Sequence, residues 1–266
     1  MWLALLLLAH HVGDYVSALR QVHPLSIERF LTEFVSVDAF RLLAWYAIFD
    51  LARRADAERP STARDVALAV LLCTIDIVPS DKIVWIVASA AALYFLVASA
   101  NDLSLRAAAI VLGALSVNEF WARVVFKLLA FDLLRADTAL VGSAMAMTHT
   151  GVDWHDNIIT MPSGHSVEVL AGCSSFHNLS LALLCWVVVS KLHRPQWSKR
   201  DLAVAGTACL TIITLNVARI YLMALGLDFY MFWHEGAGSQ IFALGASFIT
   251  LLICLYGSSP RRSGTR

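Results

Sequence analysis

The sequence predicts an all-α fold: a polytopic bundle of transmembrane helices with about seven to nine spans, in a single membrane domain over residues 1–266. Three observations predict it. The chain is 59% hydrophobic and 15% charged, whereas a soluble domain is about 45–50% apolar and about 25% charged. Its mean hydropathy is +0.69. Its apolar residues are gathered into runs near the ~20 residues that a helix needs to cross a hydrocarbon core, and basic loops separate several of these runs. The formal net charge is zero, so nothing points to a nucleic-acid partner.

Taken in order, the opening "MWLALLLLAHH" resembles a signal peptide. It lacks a basic leading region and a small-residue cleavage site, so it is predicted to be part of a retained first helix. The apolar segments that follow are approximately 34–52, 66–80, 83–99, 105–119, 176–191, 202–224 and 238–257. Residues 120–148 carry Arg123, Lys127 and Arg135 at helical spacing, which fits either a helical pair or an interfacial amphipathic helix. No internal repeat and no linker divides the chain. Five cysteines (Cys73, Cys173, Cys185, Cys209 and Cys254) form no C-x-x-C pair, which argues against a disulfide scaffold. Four lie inside apolar runs, where a thiol acts as a small hydrophobe; Cys173 alone sits where polar sequence meets apolar.

Charge sets the orientation. "LARRADAERPSTARD" (51–65), "SKLHRPQWSKR" (190–200) and "SSPRRSGTR" (258–266) hold clustered Arg and Lys, and all three are predicted to be cytoplasmic. Segment 176–191 then runs inward, 202–224 outward and 238–257 inward. The loop 149–175 and the turn 225–237 therefore meet on the extracytoplasmic side of a multi-pass protein of the cell (inner) membrane, with membrane lipids as its surroundings.

This topology gathers Cys173, Arg219 and His234 at one membrane face. Cys173 is predicted to begin the inward helix, where a helix N-terminus and a nearby cation would favour its thiolate. Arg219, in "LTIITLNVARIYLMAL", can bind a carboxylate or stabilise an oxyanion. His234, in "FYMFWHEGAGSQ", can take and return a proton near neutral pH. Together they suggest acyl transfer through a thioester. Each also has a plainer reading. Cys173 could be packing, Arg219 could snorkel to the interface with Asp228 as partner, and His234 could be an interfacial side chain. Against the plain reading of Arg219, a guanidinium within a span costs ~2.5–3.5 kcal/mol and is usually functional or paired. Asn216, one turn before Arg219 on the same face, is expected to orient it.

Three stretches, "VEVLAGCSSFHNLSLAL", "LNVARIYLMALG" and "WHEGAG", resemble in order and spacing the signature blocks of the exosortase/archaeosortase family of integral-membrane cysteine transpeptidases. The likeness covers roughly residues 149–250, and the N-terminal half is similar only in being hydrophobic helices. The resemblance puts the family's catalytic Cys, Arg and His on Cys173, Arg219 and His234. Asn216, Glu235 and Gly238 match as well, while Ser174, His165 and His177 are expected to support substrate binding. The cysteine block departs from the common Cys-Ser-Gly followed by Leu-Arg, since this chain has Cys173, Ser174, Ser175, Phe176 and His177. "DNIITMPSGHSVEV" resembles the short extended stretch before the family's cysteine. The implied partners are exported proteins whose C-terminal tail carries a short motif such as Pro-Glu-Pro, a hydrophobic helix and a basic cluster, together with an acceptor amine. No cofactor and no metal is expected.

Other readings are weaker. "PSGHS" (Pro162–Ser166) is also the central motif of type 2 phosphatidic acid phosphatases, but that family's flanking Lys-x6-Arg-Pro and Ser-Arg-x5-His-x3-Asp blocks are missing. "HEGAG" lacks the second histidine of a zincin. His149, Asp153, His155, Asp156, His165 and His177 could ligate a metal, but their spacing is irregular. A non-enzymatic scaffold or transporter would need repeats or broken helices that the sequence does not display.

Overall fold

In the computed structural model, the described residues are 39–55, 63, 67, 70, 81–99 and 101–259. The expected first helix, most of segment 66–80, Cys73 and the basic tail at Arg261, Arg262 and Arg266 lie outside them. The described chain is helical apart from one small sheet, as the all-α class requires. It divides into two compact units: the described residues up to Trp121 with 184–201 and 258–259 in the first, and 122–183 and 202–257 in the second.

The first unit is built on helices α1 (Ala39–Arg54), α2 (Asp81–Ala98) and α3 (Leu103–Ser116). α3 packs against both of the others. Their contact faces are largely alanine: Ala44, Ala47, Ala88, Ala91 and Ala107 are fully buried. Small residues let helix backbones approach closely, and inside a membrane that close packing replaces the hydrophobic drive. Asp102 caps α3, its carboxylate accepting from the Leu105 amide at 2.9 Å. A π-helical turn, Val117–Trp121, follows α3. It directs the Glu119 carboxylate to Arg41 of α1 and the Trp121 indole N–H to the Ser89 hydroxyl of α2.

The same unit holds the basic loop at residues 194–198, between α5 (Ser175–His193) and α6 (Lys199–Ala224). Ser198 and Asp201 form a capping box: the Asp201 carboxylate accepts from the Ser198 amide at 2.7 Å, and the Asp201 amide donates to Ser198 Oγ at 3.3 Å. This places the start of α6 at residue 199, three residues before the predicted 202.

The second unit begins with α4 (Ala122–Ala146), which is kinked at Leu129. The expectation of either a helical pair or an interfacial amphipathic helix for 120–148 is met by one helix with non-helical backbone at Leu129 (φ −116°, ψ 17°), which fits both. Next comes an antiparallel meander, β1 (Asp153–His155), β2 (Ile158–Thr160) and β3 (Ser166–Glu168). Ile159 lies opposite Val167, and both are buried. Trp154 of β1 packs on Gly142 of α4, where a Cβ would collide with the indole.

"PSGHS" is the turn between β2 and β3. Pro162 presets one bend and Gly164 takes φ +85°, while the Gly164 amide bonds the Met161 carbonyl at 2.9 Å. Turn chemistry thus accounts for the Pro and the Gly that look like a phosphatase motif. The unit then adds a 3₁₀ turn (Ala171–Cys173), the first half of α5, most of α6, a short α7 (Leu227–Tyr230), a second π-helical turn (Met231–Glu235) and α8 (Ala237–Ser258).

Among the described residues, α5, α6 and α8 are long and apolar enough to cross a membrane, and Lys82–Ala98 is a shorter apolar helix. Large apolar side chains stand exposed along α6 and α8, among them Leu210, Ile241 and Phe248. Polar groups within these helices bond back to their own backbone: Thr207 to the Ala203 carbonyl, Thr214 to that of Leu210 and Thr250 to that of Ala246. Such local pairing is what a low-dielectric surround demands.

Candidate active site

Cys173, Arg219 and His234 all fall in the second unit. The connectivity explains why. α5 and α6 form a hairpin through the loop at 194–198, and α6 returns to α8 through residues 225–236. The start of α5, the end of α6 and the start of α8 therefore share one end of the three helices.

Cys173 lies 3% exposed in a core cluster with Val141, Met145, Ile159, Val169, Ile220 and Met223, against which Tyr221, Tyr230 and Trp233 pack. Its expected position is corrected by two residues. The residue ends the 3₁₀ turn, and α5 begins only at Ser175. The start of α5 is already occupied. Ser174 Oγ caps it by accepting from the Phe176 amide at 3.2 Å, and the Asp137 carboxylate of α4 accepts from the Ser175 amide at 2.9 Å and from Ser174 Oγ at 2.8 Å. The free amide of the helix start is thus taken by a carboxylate and not by the thiol.

What favours the thiolate is Arg219. Burial pushes the Cys173 thiol up from its ordinary value; the Arg219 guanidinium and a hydrogen bond with the Leu170 backbone pull it down, but burial prevails. The thiol is thus protonated at rest. Arg219 Nε donates to the Trp233 carbonyl at 3.1 Å, and its guanidinium carbon lies 4.9 Å from the centre of the Phe242 ring. Those contacts leave the two Nη groups for a ligand. No ion pair joins Arg219 to Asp228 among the described residues.

Asn216 has a different task from the expected one. Its Nδ2 donates to the Cys173 carbonyl at 2.8 Å and to Ser175 Oγ at 3.0 Å. It holds the cysteine turn and does not orient Arg219. Ser175, where the family commonly has Gly, uses its hydroxyl as the second anchor for this amide.

His234 sits in the second π-helical turn, the kind of local widening of a helix often found at functional positions. Its ring stacks on Tyr230 with centroids 4.8 Å apart at an interplanar angle of 13°. Its Nδ1 is buried without a hydrogen-bond partner. Among the described residues no hydrogen bond joins His234 to Cys173. Burial pushes the Tyr230 phenol up, and the negative charges of the Cys173 thiolate and of Glu235 push it the same way.

The close turn depends on glycine. A Cβ on Gly238 would come within 2.7 Å of the Phe232 ring, and one on Gly236 within 3.0 Å of the Phe232 carbonyl oxygen.

The supporting residues are scattered. His165 Nε2 lies 3.2 Å from the Met223 carbonyl at the end of α6, next to the core that holds Cys173. His177 and Glu235 are exposed. Among the described residues, no three His, Cys, Asp or Glu side chains converge as a metal site would need. Asp137 and Tyr230 were missed from sequence. The acid stands out only as a charge in the apolar part of "LLRADTALVG".

These features define an integral-membrane helical protein with a buried thiol under the charge of an intrahelical arginine. The chain belongs to the transmembrane exosortase family, whose model matches residues 37–251. The match starts well upstream of the motif-bearing residues 149–250, so the N-terminal helices are part of the family likeness. Neither curated proteins nor solved structures gave a match.

Proposed function

We propose that this protein is a membrane cysteine transpeptidase that cuts exported proteins at a C-terminal tripartite tail and passes them to an acceptor amine. The family membership supports the class of activity. The observation that supports the residue roles is that Cys173, Arg219 and His234 fall at one end of α5, α6 and α8, with the cysteine turn pinned by Asn216.

In this reading Cys173 Sγ loses its proton to His234, whose unpartnered Nδ1 can accept it. The thiolate attacks the scissile carbonyl carbon, and the Arg219 Nη groups stabilise the oxyanion. The peptide C–N bond breaks, and His234 returns the proton to the leaving amine. An acceptor amine then attacks the thioester, gives its proton to His234 and releases the Cys173 sulfur. Glu235, His165, His177 and Ser174 serve the peptide or the geometry around these groups. The substrate's hydrophobic helix would lie beside α6 and α8, whose exposed apolar side chains offer it a surface. In the full topology about seven to nine spans carry this one domain in the cell membrane, with the site on the extracytoplasmic side.

The test follows processing of a tailed substrate co-expressed with the protein. Cys173→Ala is expected to abolish cleavage while leaving the protein in the membrane fraction. Undiminished cleavage by that variant would eliminate the thiol as nucleophile.

A further inference from the structure

The anchoring of the cysteine turn is more elaborate than a helix start requires. Ser174 alone caps α5, since its Oγ accepts from the Phe176 amide. Yet a carboxylate 37 residues upstream, Asp137, is 6% exposed and accepts from both the Ser174 hydroxyl and the Ser175 amide. Among the described residues no cation pairs with it. A buried carboxylate without a counter-ion is costly, and only the partial positive charge of the helix end compensates. From α6, Asn216 Nδ2 holds the Cys173 carbonyl and Ser175 Oγ. The Cys173 amide bonds the Leu170 carbonyl at 2.8 Å. Residues 173–176 are thereby tied to two different helices, and the Cys173 side chain is left as the group that can react.

We propose that Asp137 is a positioning residue for the nucleophile: its carboxylate and the Asn216 amide clamp the 173–176 turn from α4 and α6, fixing the aim of the Cys173 sulfur. The inference rests on the reading of Cys173 as nucleophile and adds the device that orients it. One oxygen, Oδ2, takes both hydrogen bonds, so an asparagine that presents its carbonyl oxygen there would keep the clamp without the charge. Alanine would release it.

The experiment uses the full chain purified in detergent, with Asp137→Ala, Asp137→Asn and Ser174→Ala. Site-resolved mass spectrometry follows iodoacetamide alkylation of Cys173, and a synthetic tailed peptide gives kcat and KM. Asp137→Ala is expected to alkylate at least several-fold faster, because a loosened turn exposes a thiol that is 3% exposed in the parent. Its kcat should fall by about 10²-fold, the scale of a misaimed reacting group, with KM within about twofold. Asp137→Asn should recover most of both values, and Ser174→Ala, which removes one of the two donors, should fall between. Parental alkylation and kcat in Asp137→Ala overturn the proposal. So does a lowered melting temperature with unchanged alkylation, which marks a merely structural role. If Asp137→Ala does not fold, Asp137→Asn and Ser174→Ala decide by the same readouts. If the parent does not cut the peptide, the transpeptidase reading fails, while the alkylation series still decides whether Asp137 holds the turn.

Discussion

Cys173 is an acid kept in its protonated form by burial, with Arg219 as the main opposing charge. Its alkylation rate should therefore climb with pH through an inflection above the ~8.5 of a free thiol. Arg219→Gln removes the charge that favours the thiolate, so the inflection should move further up and the rate at pH 8 should drop by about threefold to tenfold. An inflection below the free-thiol value in the parent would contradict this balance. Linkage gives the matching sign for stability. The folded state keeps a proton that the unfolded state loses, so stability should fall as pH rises past about 8.5. Asn216→Ala leaves the buried Cys173 carbonyl unsatisfied and should cost about 1–3 kcal/mol in denaturant unfolding. Cys173, Arg219 and His234 were legible as candidates because each lies in a motif whose residues are adjacent in sequence. Asp137 and Tyr230 were not. Their partners lie on other elements, and no local pattern announces a carboxylate that caps a distant helix.

At the level of elements, six predicted apolar segments appear as helices among the described residues, and three of these are long and apolar enough to cross a membrane. Shifts at their ends have local causes, such as the Ser198–Asp201 capping box that starts α6 early. The π-helical turns were not legible. The turn at Met231–Glu235 presents His234 between α7 and α8, and Gly238 lets the Phe232 ring sit against the start of α8. Gly238→Ala should overpack this contact at a cost of about 1–3 kcal/mol and displace His234. A lowered melting temperature together with loss of the Tyr230–His234 stacking, read from the histidine ring resonances, would mark the effect; an unchanged melt would show that Phe232 can move aside.

For the whole molecule, the orientation proposed from the basic loops has a direct measurement. In a variant free of native thiols, His155→Cys at the end of β1 should react with a membrane-impermeant maleimide on intact cells. Gln196→Cys, in the loop between α5 and α6, should react only after permeabilisation. The opposite pattern would invert the topology and put the site on the cytoplasmic face. Both positions are exposed, so labelling reads sidedness and not burial.

The sequence by itself determined the class of fold, the family blocks and the residue types of the site, because hydropathy, charge asymmetry and motif spacing are properties of neighbouring residues. Only the tertiary structure decided what each group touches. It moved Cys173 off the helix start, gave that start to Asp137, and turned Asn216 from Arg219 to the cysteine backbone. The physical reason is that a buried polar group must find a partner wherever one can reach it, and in a helical membrane protein that partner is as often on another helix as along the chain.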